Sequence, residues 1–358
     1  MPMRVLLSER CFKGHRKIYM KWLSKIPDIE FYVLAPENIG VEEDHYYKYE
    51  LTRGVKSLKD YLKWIILMKK IVKKENIDIL HILDGDSIMR WFGLGISHIG
   101  VPKAVITYHH FFSGFARRIS YRLLGRGMNR LCVAHTASVE QSLKSCGLKS
   151  VARCEYPAFS FDSIASRNPM ECKIKYDIPL HVPTIGIIGG LNKYKNIIPF
   201  LEMLKDLDSD FYVLICGKDS EVTKDEIKKA IEPYSDRVTL CIKFLNEEEY
   251  KDAIVASDII FCIYGYDFDG ASGPLTDGVC AEKFILSCKH GSLGDIVSHN
   301  QLGLTADCSS KDDMLKQTKL AVRRANEFKY SDIANQYRDS LNPYIFQEVY
   351  KQIYCDKK

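Results

Sequence analysis

Short runs of aliphatic and β-branched residues alternate with longer stretches of helical periodicity along almost the whole chain, and this alternation limits the folds open to it. A strand followed by a helix that crosses back makes a βαβ unit, and repeated units build a parallel sheet. In the first half, Arg4-Val-Leu-Leu, Phe31-Tyr-Val-Leu-Ala, Ile79-Leu-His-Ile-Leu, Ala104-Val-Ile-Thr-Tyr and Leu131-Cys-Val-Ala-His have the strand pattern. Helices are predicted near 15–25, 56–75, 115–128 and 137–146. In the second half, Thr184-Ile-Gly-Ile-Ile, Phe211-Tyr-Val-Leu-Ile-Cys, Val238-Thr-Leu-Cys, Ile259-Ile-Phe-Cys-Ile and Phe284-Ile-Leu-Ser repeat the arrangement. Two α/β domains, each with its own sheet, are more economical than one. Polar and proline residues interrupt the periodicity near 160–183. The expected organisation is a domain at 1–165, a linker at 166–183, a second domain at 184–335, and a C-terminal helix at 336–358 that packs back on the first.

Composition narrows the class further. Of 358 residues, 46% are hydrophobic and 27% charged, which excludes disordered and collagen-like chains, and no fixed-period repeat suggests a solenoid. Ser8, Glu9 and Arg10 interrupt the apolar start before a signal sequence could form, and no later apolar run approaches the ~18 residues of a membrane span. A cytoplasmic chain is expected. The 12 cysteines are scattered singly, without a C-x-x-C pair, which reads as reduced and mostly buried thiols. The net charge of +5 hides an asymmetry: residues 1–165 hold 26 Lys/Arg against 16 Asp/Glu, the remainder 25 against 30. Between 101 and 150 eight basic residues face one acid, Glu140, so something anionic is expected near the first half. No nucleic-acid-binding motif accompanies that charge.

Two segments carry chemistry. Gly186-Ile-Ile-Gly-Gly-Leu-Asn-Lys-Tyr-Lys-Asn closes the first strand of the second half and leads into a helical run from Ile197. Its glycines let backbone amides approach an anion, and the lysines supply charge. The spacing is neither G-x-G-x-x-G nor a P-loop, so dinucleotide and ATP fingerprints are not met. A glycine turn with solvated lysines is the plain alternative. Tyr264-Gly-Tyr-Asp-Phe-Asp-Gly-Ala-Ser-Gly-Pro-Leu-Thr-Asp-Gly-Val then runs from a strand into a helix. Free amides at the helix start suit a phosphate, and Asp269 and Asp277 offer carboxylates to vicinal hydroxyls of a sugar or ribose. The plain alternative here is a turn with helix-capping acids.

Together these segments resemble the large retaining glycosyltransferase family usually called family 4. Ile188-Gly-Gly-Leu-Asn-Lys-Tyr-Lys resembles its G-R-L-x-x-x-K turn, with Gly189 and Lys195 at matching positions. Asp269 and Asp277 reproduce the spacing of its E-x7-E motif with both acids shortened, Asp267 competing for the first role. Gly294-Asp-Ile-Val followed by Gly303-Leu resembles its closing segment. In the first half, Ile77-Asp-Ile-Leu-His-Ile, the strand ending at His109, Ala134-His-Thr-Ala-Ser and the turn at Lys13-Gly14 resemble family segments. His110 leaves a one-residue ambiguity. The family's arginine after the first glycine is Gly190 here, a departure that removes one cation.

The resemblance implies a GT-B fold of two Rossmann-like domains facing a central cleft, and a retaining transfer from a nucleoside diphosphate sugar. It implies His109, Asp269 and Lys195 as catalytic residues. It implies Gly14, Gly189, Gly190, Lys193, Lys195, Gly273, Pro274, Leu275 and Asp277 as donor-binding residues. The nucleotide sugar is a co-substrate, and no cofactor or metal is expected: Asp267-Phe-Asp269 is formally D-x-D, but it lies in the acidic loop. The expected acceptor is a glycan or a polyprenyl-linked glycan used in surface polysaccharide, lipopolysaccharide or capsule synthesis. The lysine-rich segment Leu58–Lys74 with Trp64, and the arginines after Phe115, suit an anionic membrane surface, while a buried helix with a solvated lysine edge explains the former equally. A GT-B sugar- or nucleotide-binding protein without turnover is the alternative function.

Overall fold

In the computed structural model, which describes residues 2–12, 16–49, 57–125 and 129–356, the apolar runs form two sheets in two units. One unit comprises Met1–Phe159 with Pro343–Lys358, the other Ser160–Asn342. The first holds β1 (Met3–Ser8), β2 (Ile29–Ala35), β3 (Tyr46–Lys48), β4 (Ile79–Ile82), β5 (Lys103–Tyr108), β6 (Arg130–Ala134) and β7 (Val151–Arg153), in the order β3-β2-β1-β4-β5-β6-β7. The second holds β8 (Thr184–Ile188), β9 (Tyr212–Cys216), β10 (Val238–Cys241), β11 (Ile259–Cys262), β12 (Phe284–Cys288) and β13 (Gly303–Ala306), in the order β10-β9-β8-β11-β12-β13. All pairings are parallel. Parallel strands covered by helices on both faces read as continuous apolar runs, which is why the central strands stand out in the sequence. Each unit is Rossmann-like.

Helix Leu58–Glu75 shows how sequence dictates an element. Ser57 caps it by accepting from the Asp60 amide, and Asn76, at φ +51°, ends it in the left-handed conformation. Tyr61, Trp64, Ile65, Met68, Ile71 and Val72 recur at helical spacing and are buried. Trp64 is fully buried and its indole N–H donates to Ser8 Oγ at 3.0 Å. That places it in the core and makes it unavailable to a membrane; only Leu58, Ile66 and the lysines of this helix face outward.

Residues 166–183, read from sequence as a linker, carry helix Pro169–Lys175, capped by Asn168. Ion pairs hold this segment within the second unit: Arg167 and Lys175 to Asp252, and Lys173 to Asp258. Its prolines and polar residues serve capping and pairing rather than extension. The terminal segment is likewise two helices, Asp332–Ser340 and Pro343–Cys355, broken at Asn342-Pro343. Only the latter belongs to the first unit. Its Phe346, Tyr350, Ile353 and Tyr354 enter a core with Tyr19, Phe31 and Leu83.

That helix also closes a buried hydrogen-bond chain. His135 Nδ1 lies 2.8 Å from the Cys154 carbonyl, which only accepts, so Nδ1 carries the proton. Nε2 then accepts from Tyr19 at 3.2 Å, Tyr19 from Tyr350 at 2.6 Å, and Tyr350 from Thr107 at 3.0 Å. Thr107 accepts from His81 Nε2 at 2.8 Å, and His81 Nδ1 from Tyr354 at 2.6 Å. One direction of donation satisfies every member. Burial lowers the pKa of His81 to about 3 and of His135 to about 4, so both are neutral.

Candidate functional site

An open parallel sheet takes ligands in the crevice at the carboxyl ends of its strands, where the strand order reverses. In the Ser160–Asn342 unit the reversal falls between β8 and β11, the strands that precede the glycine turn and the acidic loop. Gly189 follows β8 at φ +90°. A Cβ there would lie 3.4 Å from Lys195 Nζ and 3.7 Å from Pro274 Cγ, so the structure brings Gly189, Lys195 and Pro274 together. A Cβ on Gly217, after β9, would lie 1.9 Å from the Gly189 carbonyl oxygen, so only glycine permits this approach.

Lys195 is 5% exposed, donates to the Ile188 carbonyl at 2.9 Å, and stands 5.7 Å from the Tyr264 ring centre. Burial lowers its pKa to about 8. A cation held with so little compensation is poised to meet an anion. Lys193 is exposed, its amide donating to Glu221, and so differs in environment from Lys195. A Cβ on Gly190 would meet Asn192 Nδ2 at 3.3 Å.

The acidic loop is tied to the glycine turn. The Gly265 amide donates to the Tyr194 carbonyl at 2.7 Å, and Phe268 stacks on Tyr194 with centroids 5.2 Å apart. Helix Gly273–Cys280 follows, with Ser272 at its N-cap making no side-chain cap bond and Pro274 in the first turn. The first-turn amides of Gly273 and Leu275 have no partner inside the helix. Asp269 Oδ1 accepts from the Ser292 amide at 2.9 Å and its hydroxyl at 2.5 Å, at the start of helix Gly291–His299. Asp267 is exposed, so Asp269 is the acid built into the fold. Asp277 is 6% exposed and accepts from the Tyr250 hydroxyl at 2.8 Å. Ser292 thus orients Asp269, and Tyr250 orients Asp277.

In the other unit the order reverses between β1 and β4. His109, after β5, is half-buried and donates through Nε2 to the Leu83 carbonyl at 3.0 Å, which leaves Nδ1 as its acceptor. Burial, then His135, Arg16 and His110, hold its pKa well below the usual value, so the imidazole is neutral. His110 is half-buried, its ring 6.2 Å from that of Phe112. Gly14, with Lys13, lies outside the described residues.

Sequence reasoning missed several neighbours. Tyr250 and Tyr264 look like ordinary aromatics until the fold sets one on Asp277 and the other on Lys195. Glu9, Arg10, Arg16 and Asp84 also converge, and for them a signal existed: charged residues directly after an apolar strand mark a strand's carboxyl end.

Residues 171–334 match the family model described as glycosyl transferases group 1. No protein of curated function matches the sequence. Among solved structures, a glycosyltransferase from Rickettsia africae ESF-5 is similar at TM-score 0.74 and 17% identity, covering 99% of this chain and 98% of that one. Anabaena Alr3699/HepE, solved with UDP and glucose, is similar at TM-score 0.72 and 12% identity, covering 98% and 99%. WaaG, a glycosyltransferase involved in lipopolysaccharide biosynthesis, is similar at TM-score 0.70 and 11% identity, covering 99% and 100%.

Proposed function

We propose that this chain of GT-B fold, whose residues 171–334 match glycosyl transferases group 1, is a retaining glycosyltransferase moving a sugar from a nucleoside diphosphate sugar to a glycan or lipid-linked acceptor in surface polysaccharide synthesis. The observation that carries this reading is Lys195, buried beside Gly189 and Pro274 in the β8–β11 crevice, next to a helix start with open amides. HepE was solved with UDP and with UDP-glucose, which fits such a donor.

Each residue then has a task. Lys195 and the Gly273 and Leu275 amides stabilise the diphosphate as its bond to the anomeric carbon breaks, a gain in the transition state. Asp269, oriented by Ser292, accepts from hydroxyls of the transferred sugar, and Asp277, oriented by Tyr250, from those of the ribose. His109 offers Nδ1 as a neutral acceptor at the carboxyl end of β5. The acceptor hydroxyl attacks the anomeric carbon and its proton leaves on the departing diphosphate.

Association with an anionic membrane surface is part of the same proposal. Phe115 is 82% exposed and Leu94 56%, with Phe92 and Phe112 exposed as well. Helix Phe115–Gly125 packs on the segment around Met89, with Ser120 donating to the Met89 carbonyl, so these residues share a region with Arg90, Arg117, Arg118 and Arg122. Apolar side chains among arginines suit an interface of anionic headgroups. No helix among the described residues is long and apolar enough to cross a membrane.

Thermal shifts with UDP, GDP, ADP and CMP and their sugar conjugates test the donor reading. A ligand at ~100 times its dissociation constant adds roughly 2.7 kcal/mol of stability. The expected result is a shift with one nucleotide class, lost in both Lys195→Ala and Asp277→Ala; no shift with any nucleotide would overturn it. Flotation with phosphatidylglycerol vesicles at low salt tests the surface, with loss expected in Phe115→Ser.

A further inference from the structure

We propose that His290 and Tyr266 form a clamp that fixes the acidic loop and so sets Asp269 on the transferred sugar, His290 being a positioning residue that acts through the face of its ring. The clamp stands on packing within the second unit; that its consequence is sugar recognition rests on the glycosyltransferase reading.

The loop after β11 and the turn after β12 run side by side. Tyr266 lies on His290 with ring centres 4.1 Å apart and planes 24° from parallel. A Cβ on Gly291 would stand 3.3 Å from Asp269 Oδ1 and 3.8 Å from the Phe268 carbonyl oxygen, so the loop also rests on the bare backbone of the next residue. Gly291 has φ +64°, the left-handed region that glycine adopts without steric cost. Ser292 then gives Asp269 its amide and its hydroxyl. Three successive residues, 290 to 292, thus receive loop residues 266, 268 and 269.

His290 holds the N-cap position of helix Gly291–His299, a place that favours Ser, Thr, Asp or Asn, and its side chain makes no cap bond. Asp269 supplies the missing carboxylate from another segment, which ties the acid to this helix start. The imidazole itself is poorly served by hydrogen bonds. Its Nε2 is buried without a partner among the described residues, and its Nδ1 meets only the sulfur of Cys308, at 3.9 Å. An unpaired buried nitrogen works against stability, so packing against Tyr266, more than polar contact, is what the ring provides.

Tyr266 is 62% exposed and yet anchored at face and tip. Its hydroxyl donates at 3.1 Å to Asp307 Oδ1, which the Ser309 amide and hydroxyl also hold. Such anchoring removes rotamer freedom that an exposed side chain would otherwise keep. Phe268 on Tyr194 grips the same loop from the glycine turn. The loop is therefore held from β8 on one side and from β12 and β13 on the other, and the second grip decides where Asp269 stands. Polar recognition of this kind is sensitive to position: a displacement of about 1 Å can cost up to about a hundredfold.

Titration calorimetry on the full chain tests the clamp with UDP and UDP-glucose, and with GDP, ADP and their glucose conjugates in parallel. The readout is the affinity for the conjugate relative to that for the bare nucleotide. His290→Ala and Tyr266→Ala should each lower that ratio by about tenfold and leave the bare nucleotide unchanged. His290→Phe keeps a ring face and removes the unpaired nitrogen, so it should stay near wild type. Asp269→Asn should lower the ratio as well, and adding His290→Ala to it should cost little more, because both act on one contact. A folded His290→Ala with an unchanged ratio overturns the proposal, as does an equal loss of nucleotide and conjugate, which would mark a general structural role. His290→Phe failing as badly as His290→Ala would show that the imidazole nitrogens, not the ring face, are needed, and additive losses in the double variant would separate His290 from Asp269; either overturns it. If no nucleotide binds the wild type, the donor reading fails and amide exchange without ligand still decides the clamp. The Ser292 and Phe268 amides should then exchange at least about tenfold faster in both alanine variants, with the Gly189 amide, bonded to the Cys216 carbonyl, unchanged. Equal rates in wild type and variants overturn the clamp itself.

Discussion

At the scale of single residues, the second unit's crevice holds a destabilised lysine, Lys195. A folded-state pKa of about 8, below the lysine's ordinary value of 10.5, means folding favours the neutral amine. The stability linked to this group is present above pH ~10.5 and lost as pH falls through ~8. Lys195→Met is therefore expected to gain roughly 1–3 kcal/mol at pH 7 in urea melts, a gain that fades above pH 10, while losing nucleotide binding. Glu9 has the opposite sign. Burial and the Asp84 charge raise its pKa from 4.5 to about 7, so its contribution is full below pH ~4.5 and lost as pH rises through ~7. Glu9→Gln should be as stable as wild type at pH 4 and more stable at pH 8, read from melting temperatures across pH. Much of this was legible in sequence only as residue type. Gly189, Lys195, Asp269 and Asp277 stood out through the family resemblance, but that Asp269 is oriented by Ser292 and Asp277 by Tyr250 depends on contacts between segments far apart in the chain.

At the scale of elements, the central strands were readable because burial on both faces makes them apolar throughout. The edge strands β3, Tyr46–Lys48, and β7, Val151–Arg153, are three residues each and half-exposed, and left no pattern to find. β13, Gly303–Ala306, opens on a glycine and holds one aliphatic residue larger than alanine, Leu304, so it too shows no strand pattern. The segment at 166–183 misleads in the other direction: Asn168-Pro169 reads as a chain break, yet it is the N-cap and first turn of a helix. Helix Pro343–Cys355 hides its most consequential feature, since its tyrosines look amphipathic in sequence and are hydrogen-bond links in the fold. Tyr350→Phe removes the hydroxyl between Thr107 and Tyr19 and strands both. The expected loss is about 1–3 kcal/mol in urea denaturation, with Ile345→Val, at an exposed site of the same helix, as a near-neutral control.

For the whole molecule, the division into two units predicts two separable transitions. Calorimetric scanning should find a transition raised by the nucleotide and abolished as a response by Lys195→Ala. Deleting residues 343–358 removes Phe346, Tyr350 and Tyr354 from the first unit's core and should lower that unit's transition, leaving the nucleotide-responsive one in place. Both transitions falling together would show that the units melt as one.

The hydrogen-bond chain that ends on Tyr354 also sets an order of events during synthesis. The first unit's final helix emerges only after all of Ser160–Asn342 has been made. At ~5–20 residues per second that is a wait of roughly 10–40 s, in which His81 lacks the Tyr354 hydroxyl and Thr107 and Tyr19 lack that of Tyr350. The second unit, contiguous in sequence, is complete before the first. A nascent chain stalled before residue 343 should therefore protect β8–β13 from protease while β1–β7 stay cleavable, and release of the last helix acts as a latch that finishes the older half of the chain.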